Sequence, residues 1–397
     1  MSAVRQAGSG GADGPDAIRL FLCGDVMTGR GIDQVLPHPV EPHLFESWAR
    51  TAAVYVELAE RAAGPIGRKL DFAYPWGDAL AVLQELGPDV RIVNLETAVT
   101  TSEAAQAGKG IHYRMNPANL PCLTSADIDC CILANNHVLD WGHEGLLQTL
   151  ASLHDAGLRT AGAGRDAREA AAPAAIGLSS RGRVLVFAFA AADSGVTPEW
   201  AATEARAGVN FLERVSARSA APIAELASAR RQPGDVVVVS VHWGGNWGFD
   251  VSREQRAFAH GLIDDGGADI VHGHSSHHVK GIEVYRNKLI LYGCGDFLND
   301  YEGIRGQERF RPDLTLMYFP VLDPASGDLR ELRAVPMRIH RFRLERADAQ
   351  GSSWLRRTLE REGAAFGTGV AADEHGMLSL CWQTADGVPA VAASKTA

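Results

Sequence analysis

One recurrence constrains this chain more than any other feature. Short apolar runs, rich in β-branched residues, keep ending on polar residues of the same few types. IRLFLC (18–23) runs into Gly24 and Asp25, and VRIVN (90–94) carries Asn94 and leads to Glu96. IDCCILA (128–134) precedes Asn135, Asn136 and His137; DVVVVSV (235–241) precedes His242; ADIV (268–271) precedes His272 and His274. VLVFAFA (184–190) and LILYG (289–293) are further strand-sized runs. Between them lie helical patterns at 145–156, 211–231 and 252–266, so the alternation predicts a layered α/β protein with a substantial sheet. In such sheets the carboxyl ends of neighbouring strands share one crevice. The sequence therefore predicts that Asp25, Glu96, Asn136, His242 and His274 converge, although they span about 250 positions.

The segment from Leu314 to Ile339 reads as a hairpin turning at 324–328, which makes the later strands antiparallel and the sheets mixed. Residues 1–16 and the 385–397 tail are rich in Gly and Ala and are expected to be disordered. Residues 17–345 are expected to form a single catalytic domain and 346–397 a helical extension with a flexible tail. A formal charge of −10 without a basic stripe argues against generic nucleic-acid binding. No run reaches about 18 apolar residues, and the N-terminus has no apolar core of a signal peptide, so no membrane span or export signal is expected. Six cysteines without a CxxC pair suit a reducing compartment, and a cytoplasmic location is expected.

Histidine is the most concentrated chemical signal. Four of the 14 histidines fall in VHGHSSHHVKG, at His272, His274, His277 and His278. Two are expected in the site and two bonded to backbone or carboxylates. Asp25, Glu96, Asn136, His242 and His274 make a plausible oxygen-and-imidazole metal cage, and a bridging carboxylate could hold two cations. His137 could protonate a leaving group, with Asp140 orienting it; helix capping is the structural alternative for Asn135, Asn136 and Asp140. Arg30, Trp243, Trp247 and Arg305 are the candidate substrate contacts. Arg309 and Arg311 are further possible carboxylate receivers, and ordinary core or solvated surface is the alternative for all of these.

The series GDVMTGR (24–30), NLETAV (94–99), ANNHVLDWG (134–142), VHWGGNWG (241–248) and GHSSHHVKGIE (273–283) resembles bacterial CapA-type proteins. These are named for poly-γ-glutamate capsule synthesis, within the calcineurin-like metallophosphoesterase superfamily. The resemblance covers about residues 18–340 and implies a four-layer α/β/β/α sandwich. Matched residue by residue, it places Asp25 at the first metal aspartate and Glu96 at the bridging carboxylate. It places Asn136 and His137 at the Asn-His pair, and His242 and His274 at the later histidines. Two positions depart from it: Met27 and Ser276 stand where imidazoles are expected. Because both are poor ligands for hard cations, fewer than two tightly bound ions are expected. The resemblance also extends to lasso-peptide biosynthesis, where an enzyme of this group epimerises a Cα. The preferred expectation is thus a peptide epimerase that inverts the Cα of a C-terminal residue of a lasso-type precursor, its partner. His137, His242, His274, Asp25 and Glu96 would move the protons, and no cofactor would be required. The alternatives are a metal-dependent phosphoesterase using one or two Mn, Mg, Zn or Fe ions, and a noncatalytic capsule-synthesis accessory protein.

Overall fold

A computed structural model describes residues 17–179 and 181–383, and the backbone of 389–390; the expected disorder of 1–16 and of most of the 385–397 tail lies outside the described residues. The strands that matter for the site are β1 (Ile18–Val26), β2 (Val90–Leu95), β3 (Cys130–Ile132), β4 (Arg159–Ala161), β5 (Arg183–Ala191), β6 (Val236–His242), β7 (Ile270–His274), β8 (Ile282–Tyr285), β9 (Lys288–Leu291), β10 (Asp296–Leu298), β11 (Leu314–Leu322) and β12 (Leu329–His340). The first sheet runs β12-β11-β1-β2-β3-β4, with β10 also paired to β1, and the second runs β5-β6-β7-β9-β8. β1 to β4 are parallel, and so are β5, β6, β7 and β9. β11 and β12 form the expected antiparallel hairpin, giving a mixed sheet. The architecture is a mixed α/β sandwich of two central sheets flanked by helices.

Side-chain parity explains how the two sheets meet. Successive residues of a strand point to opposite faces. In β6, Val236 and Val238 join the core shared with the first sheet, whereas Val237, Val239 and Val241 join an outer core with the helices Ala217–Arg230 and Arg253–Asp264. The same alternation splits β5 and β7 between the two cores. Ser240 and His242 share the parity of Val238, and His272 and His274 that of Ile270, so all four face the first sheet. The parallel register sets Ser240 opposite His272 and His242 opposite His274. Across the gap, His272 Nε2 meets the Cys23 carbonyl of β1 at 2.8 Å, joining the two sheets.

Two local expectations change. The helix expected from 211 begins at Ala217, because Ser216 and Ser219 form a capping box and Phe211–Leu212 pair in parallel with β5. The 346–397 segment supplies the helix Ala349–Gly363 and also the strands Thr368–Ala372 and Leu378–Gln383, which extend the first sheet beyond β12. Buried Leu378, Leu380 and Trp382 show the period-two pattern that builds the last strand.

Candidate metal centre

Asp25 is the last residue but one of β1 and is wholly buried. Its Oδ1 accepts a 2.8 Å bond from Asn94 Nδ2 on β2, where the two residues are opposite in the ladder. On the other side, Asp25 pairs in register with Asp296 of β10. That approach depends on Gly24: a Cβ there would lie 1.7 Å from the Gly295 carbonyl oxygen. Glycine is the residue that lets two backbones come this close.

Two sets of donor atoms gather around Asp25, Asp25–His242–His274 and Asp25–His277–Asp296, with the ligand atoms of each within 4.8 Å of one another. His242 Nδ1 and His274 Nδ1 face each other at 2.7 Å, and His274 Nδ1 is 3.9 Å from Asp25 Oδ1. The opposite ring nitrogens have partners of their own: His242 Nε2 meets Asn136 Oδ1 at 3.2 Å, and His274 Nε2 meets Ser240 Oγ at 2.8 Å. With N–H on each Nε2, both Nδ1 lone pairs point at one place, the usual way outer partners orient metal-binding imidazoles. In the second set His277 Nδ1 lies 2.7 Å from Asp296 Oδ1, while Asn299 Nδ2 donates to Asp296 Oδ2 at 2.8 Å.

The electrostatics suit a cation. Burial, reinforced by the charge of Asp296, raises Asp25 to about 7. Burial and Asp25 likewise push Glu96 well above the usual carboxyl range. Burial and neighbouring imidazoles push His242 and His274 well below theirs, so both rings are neutral and keep a lone pair. Burial alone would lower His277, but Asp296 at hydrogen-bond distance outweighs it and raises the group. Asp25 Oδ2 and Glu96 Oε2 are buried and accept no hydrogen bond. Orphaned carboxylate oxygens among neutral imidazoles are what a divalent cation satisfies, so the residues fit one or two such ions.

The other expected site residues take more varied places. Glu96 Oε1 sits 3.8 Å from both His137 Nε2 and His242 Nε2. Asn136, expected as a ligand, has its Oδ1 3.2 Å from His242 Nε2. His137 Nδ1 bonds Asp140 Oδ2 at 2.6 Å, and burial drives its pKa down to about 4. The helix Gly142–Asp155 has no side-chain cap, so the capping alternative for Asn135, Asn136 and Asp140 is not the one adopted. Arg30, expected as a substrate contact, is 3% exposed. Its guanidinium is bound to Asp300 through Nε (3.1 Å) and Nη2 (2.5 Å), and to Glu46 and Tyr55 through Nη1. These bonds tie it to carboxylates and a phenol of the chain itself. Trp243 is likewise core, its indole N–H donating to the Tyr292 carbonyl at 3.0 Å. Trp247 is half-buried, with its ring 5.3 Å from that of His277, at the edge of the centre. Arg305 and Arg309 are exposed, and Arg311 is paired with Asp313.

Of the histidine cluster, His274 and His277 face the centre. His272 is held by the Cys23 carbonyl, and His278 by the Gly248 N–H and the Val279 carbonyl. The sequence reading missed His277 and Asp296 as ligand candidates. Asp296 follows the apolar run LILYG as Asp25 follows IRLFLC, so the strand-end rule already contained the signal. These two residues also correct the argument from Met27 and Ser276. The Tyr301 hydroxyl donates to Met27 Sδ at 3.8 Å and Ser276 Oγ donates to the His278 carbonyl, while His277 and Asp296 supply donor atoms beside Asp25.

Comparison with known proteins adds a family. The model of the bacterial capsule synthesis protein PGA_cap matches residues 19–301. The chain is 46% identical over 370 residues to a "probable polyglutamine synthesis accessory protein" of Mycobacterium tuberculosis, covering 93% of this chain and 97% of that one. It is 26% identical over 309 residues to the PGA biosynthesis protein CapA of Bacillus subtilis (76% and 68% covered), and 24% identical over 285 residues to the capsule biosynthesis protein CapA of Bacillus anthracis (72% and 60%). Among the described residues no helix is long and apolar enough to cross a membrane.

Proposed function

The chain belongs to the bacterial capsule synthesis protein PGA_cap family, and from that membership and the geometry of the centre we propose that it is a metal-dependent hydrolase of the metallophosphoesterase type. We place it in the synthesis of a poly-amino-acid polymer of the kind its relatives are named for. The observation that carries the reading is the pair of donor sets sharing Asp25, with orphaned carboxylate oxygens between neutral imidazoles. Asp25, His242 and His274 would hold one cation, and Asp25, His277 and Asp296 a second. When bound, such ions supply Lewis-acid polarisation of a substrate oxygen. The chain's own groups do the rest. Asn136 and Ser240 hold His242 and His274 in the ligating tautomer, and Asp140 holds His137 with Nε2 toward Glu96, where a proton can be exchanged with the reacting group. Trp247 walls the centre beside His277.

This reading ranks above a peptide Cα epimerase acting on a lasso-type precursor, because proton transfer by Asp25, His242 and His274 leaves no role for His277 and Asp296, which complete a second donor set on Asp25. The test uses purified full-length protein loaded with Mn²⁺ or Zn²⁺ and bis(p-nitrophenyl) phosphate as probe. Turnover that chelator removes and the metal restores is the expected result. Protein that takes up no divalent metal, yet incorporates deuterium at a peptide Cα in D₂O, would overturn it in favour of the epimerase.

A further inference from the structure

The loop between Thr101 and Tyr113 brings a cation, Lys109, onto residues that flank the centre. Lys109 Nζ donates both to the backbone carbonyl of Asn136 and to Asp140 Oδ1. The other carboxylate oxygen of Asp140 takes His137 Nδ1 at 2.6 Å and the Tyr113 N–H at 2.6 Å. Lys109 Nζ also lies 3.3 Å from His137 Nδ1. With the hydrogen of Nδ1 directed at Asp140, that nitrogen has no lone pair to offer, so the approach is a close contact and the two oxygens are the acceptors. The Gln106 N–H meets the Asp140 carbonyl at 2.7 Å, and the ammonium sits 4.8 Å from the centre of the Trp200 ring. About a fifth of the Lys109 side chain is exposed, whereas Asp140 is wholly buried.

We propose that Lys109 is a positioning residue, a clamp that joins Asn136 to Asp140 across His137 and fixes the imidazole with Nδ1–H on Asp140 and Nε2 toward Glu96. Neither the strand-end pattern nor the family resemblance singles it out; its place follows from a loop folding back over the start of the helix Gly142–Asp155. The clamp acts on both halves of the centre. The Asn136 peptide it grips carries the side chain that orients His242, and the Asp140 carboxylate it grips orients His137. Without the ammonium, Asp140 Oδ1 has no partner, and the carboxylate is free to turn and release the ring. What His137 then fails to do rests on the hydrolase reading; the clamp itself rests only on these contacts.

The experiment compares Lys109→Met and Lys109→Arg in the full chain. In chelator, two-bond ¹⁵N–¹H spectra of the histidine rings report the tautomer of His137, assigned by its loss in His137→Gln. In Mn²⁺-loaded protein, kcat and KM for bis(p-nitrophenyl) phosphate and the bound-metal content are measured. The expected result is a single Nδ1–H tautomer in the parent and a mixed one in Lys109→Met. With it goes a kcat lower by about 10–100-fold, the range for outer-shell partners, at unchanged KM, and recovery of both signals in Lys109→Arg. An unchanged tautomer in Lys109→Met overturns the clamp, and so does a raised KM at constant kcat, which would make Lys109 a substrate contact. If Lys109→Met does not fold, Lys109→Gln takes its place with the same outcomes. A parent protein with no turnover would refute the hydrolase reading alone, since the tautomer spectra decide the clamp without any activity.

Discussion

Replacing Asp25 with Asn should stabilise the metal-free protein and abolish its response to metal. Burial and Asp296 hold the Asp25 carboxyl at about 7 in place of 3.8. A folded-state pKa above the unfolded one means that the native protein holds this proton more tightly. Stability therefore falls as pH rises from about 4 to 7, and above 7 the buried ionised group costs on the order of 4 kcal/mol. Asparagine carries no charge to desolvate. Its carbonyl can keep the bond from Asn94, and its amide can donate to the Glu96 carboxyl beside it. In chelator at pH 8 the variant should exceed the parent by up to about 4 kcal/mol, and the difference should shrink toward pH 5. Divalent metal reverses the order. Each site filled at a hundred times its Kd adds about 2.7 kcal/mol to the parent. The variant should gain little, because Asp25 belongs to both donor sets. Urea unfolding at pH 5 and pH 8, with EDTA or with Mn²⁺, measures all four states. A variant less stable than the parent in EDTA at pH 8, or one whose Mn²⁺ response is intact, would refute this account of the centre.

Three further substitutions separate the parts of the site. Asp296→Asn removes a ligand from one donor set only, so elemental analysis after gel filtration should fall from two divalent ions per chain to one, not to none. Gly24→Ala puts a methyl group where the Gly295 carbonyl oxygen already sits; denaturant unfolding should show a loss of about 3 kcal/mol or more, accompanied by lower metal content. Arg30→Met leaves Asp300 and Glu46 buried without their cation and should cost about 3–5 kcal/mol of stability, with KM for a phosphate-ester probe unchanged in the folded fraction; a raised KM would restore Arg30 as a substrate contact.

Much of this architecture is local and was legible from the chain. The apolar runs gave β1, β2, β3, β5, β6, β7 and β9, and the turn between Leu314 and Ile339 gave the hairpin of β11 and β12. Parity within a run is a property of the backbone, so once Val236 and Val238 face the sister sheet, Ser240 and His242 must follow, and the placing of His242 beside His274 was implicit in two strands read separately. Which side chains complete the centre was a different question, decided by contacts between segments far apart in sequence. Asp296 reaches Asp25 because Gly24 and Gly295 let β10 close on β1, and His277 joins them only through that closure. Arg30 and Trp243 have the chemistry of ligand contacts, yet Asp300, Glu46 and the Tyr292 carbonyl were already in reach to bind them. Lys109 lies in a stretch without periodicity, and nothing near it in sequence reveals that its loop folds back onto Asp140. Local backbone geometry fixes where a strand ends and which face a residue takes; a buried polar group takes its partner from whatever the packing of distant segments brings within hydrogen-bond reach, and only the tertiary structure sets that distance.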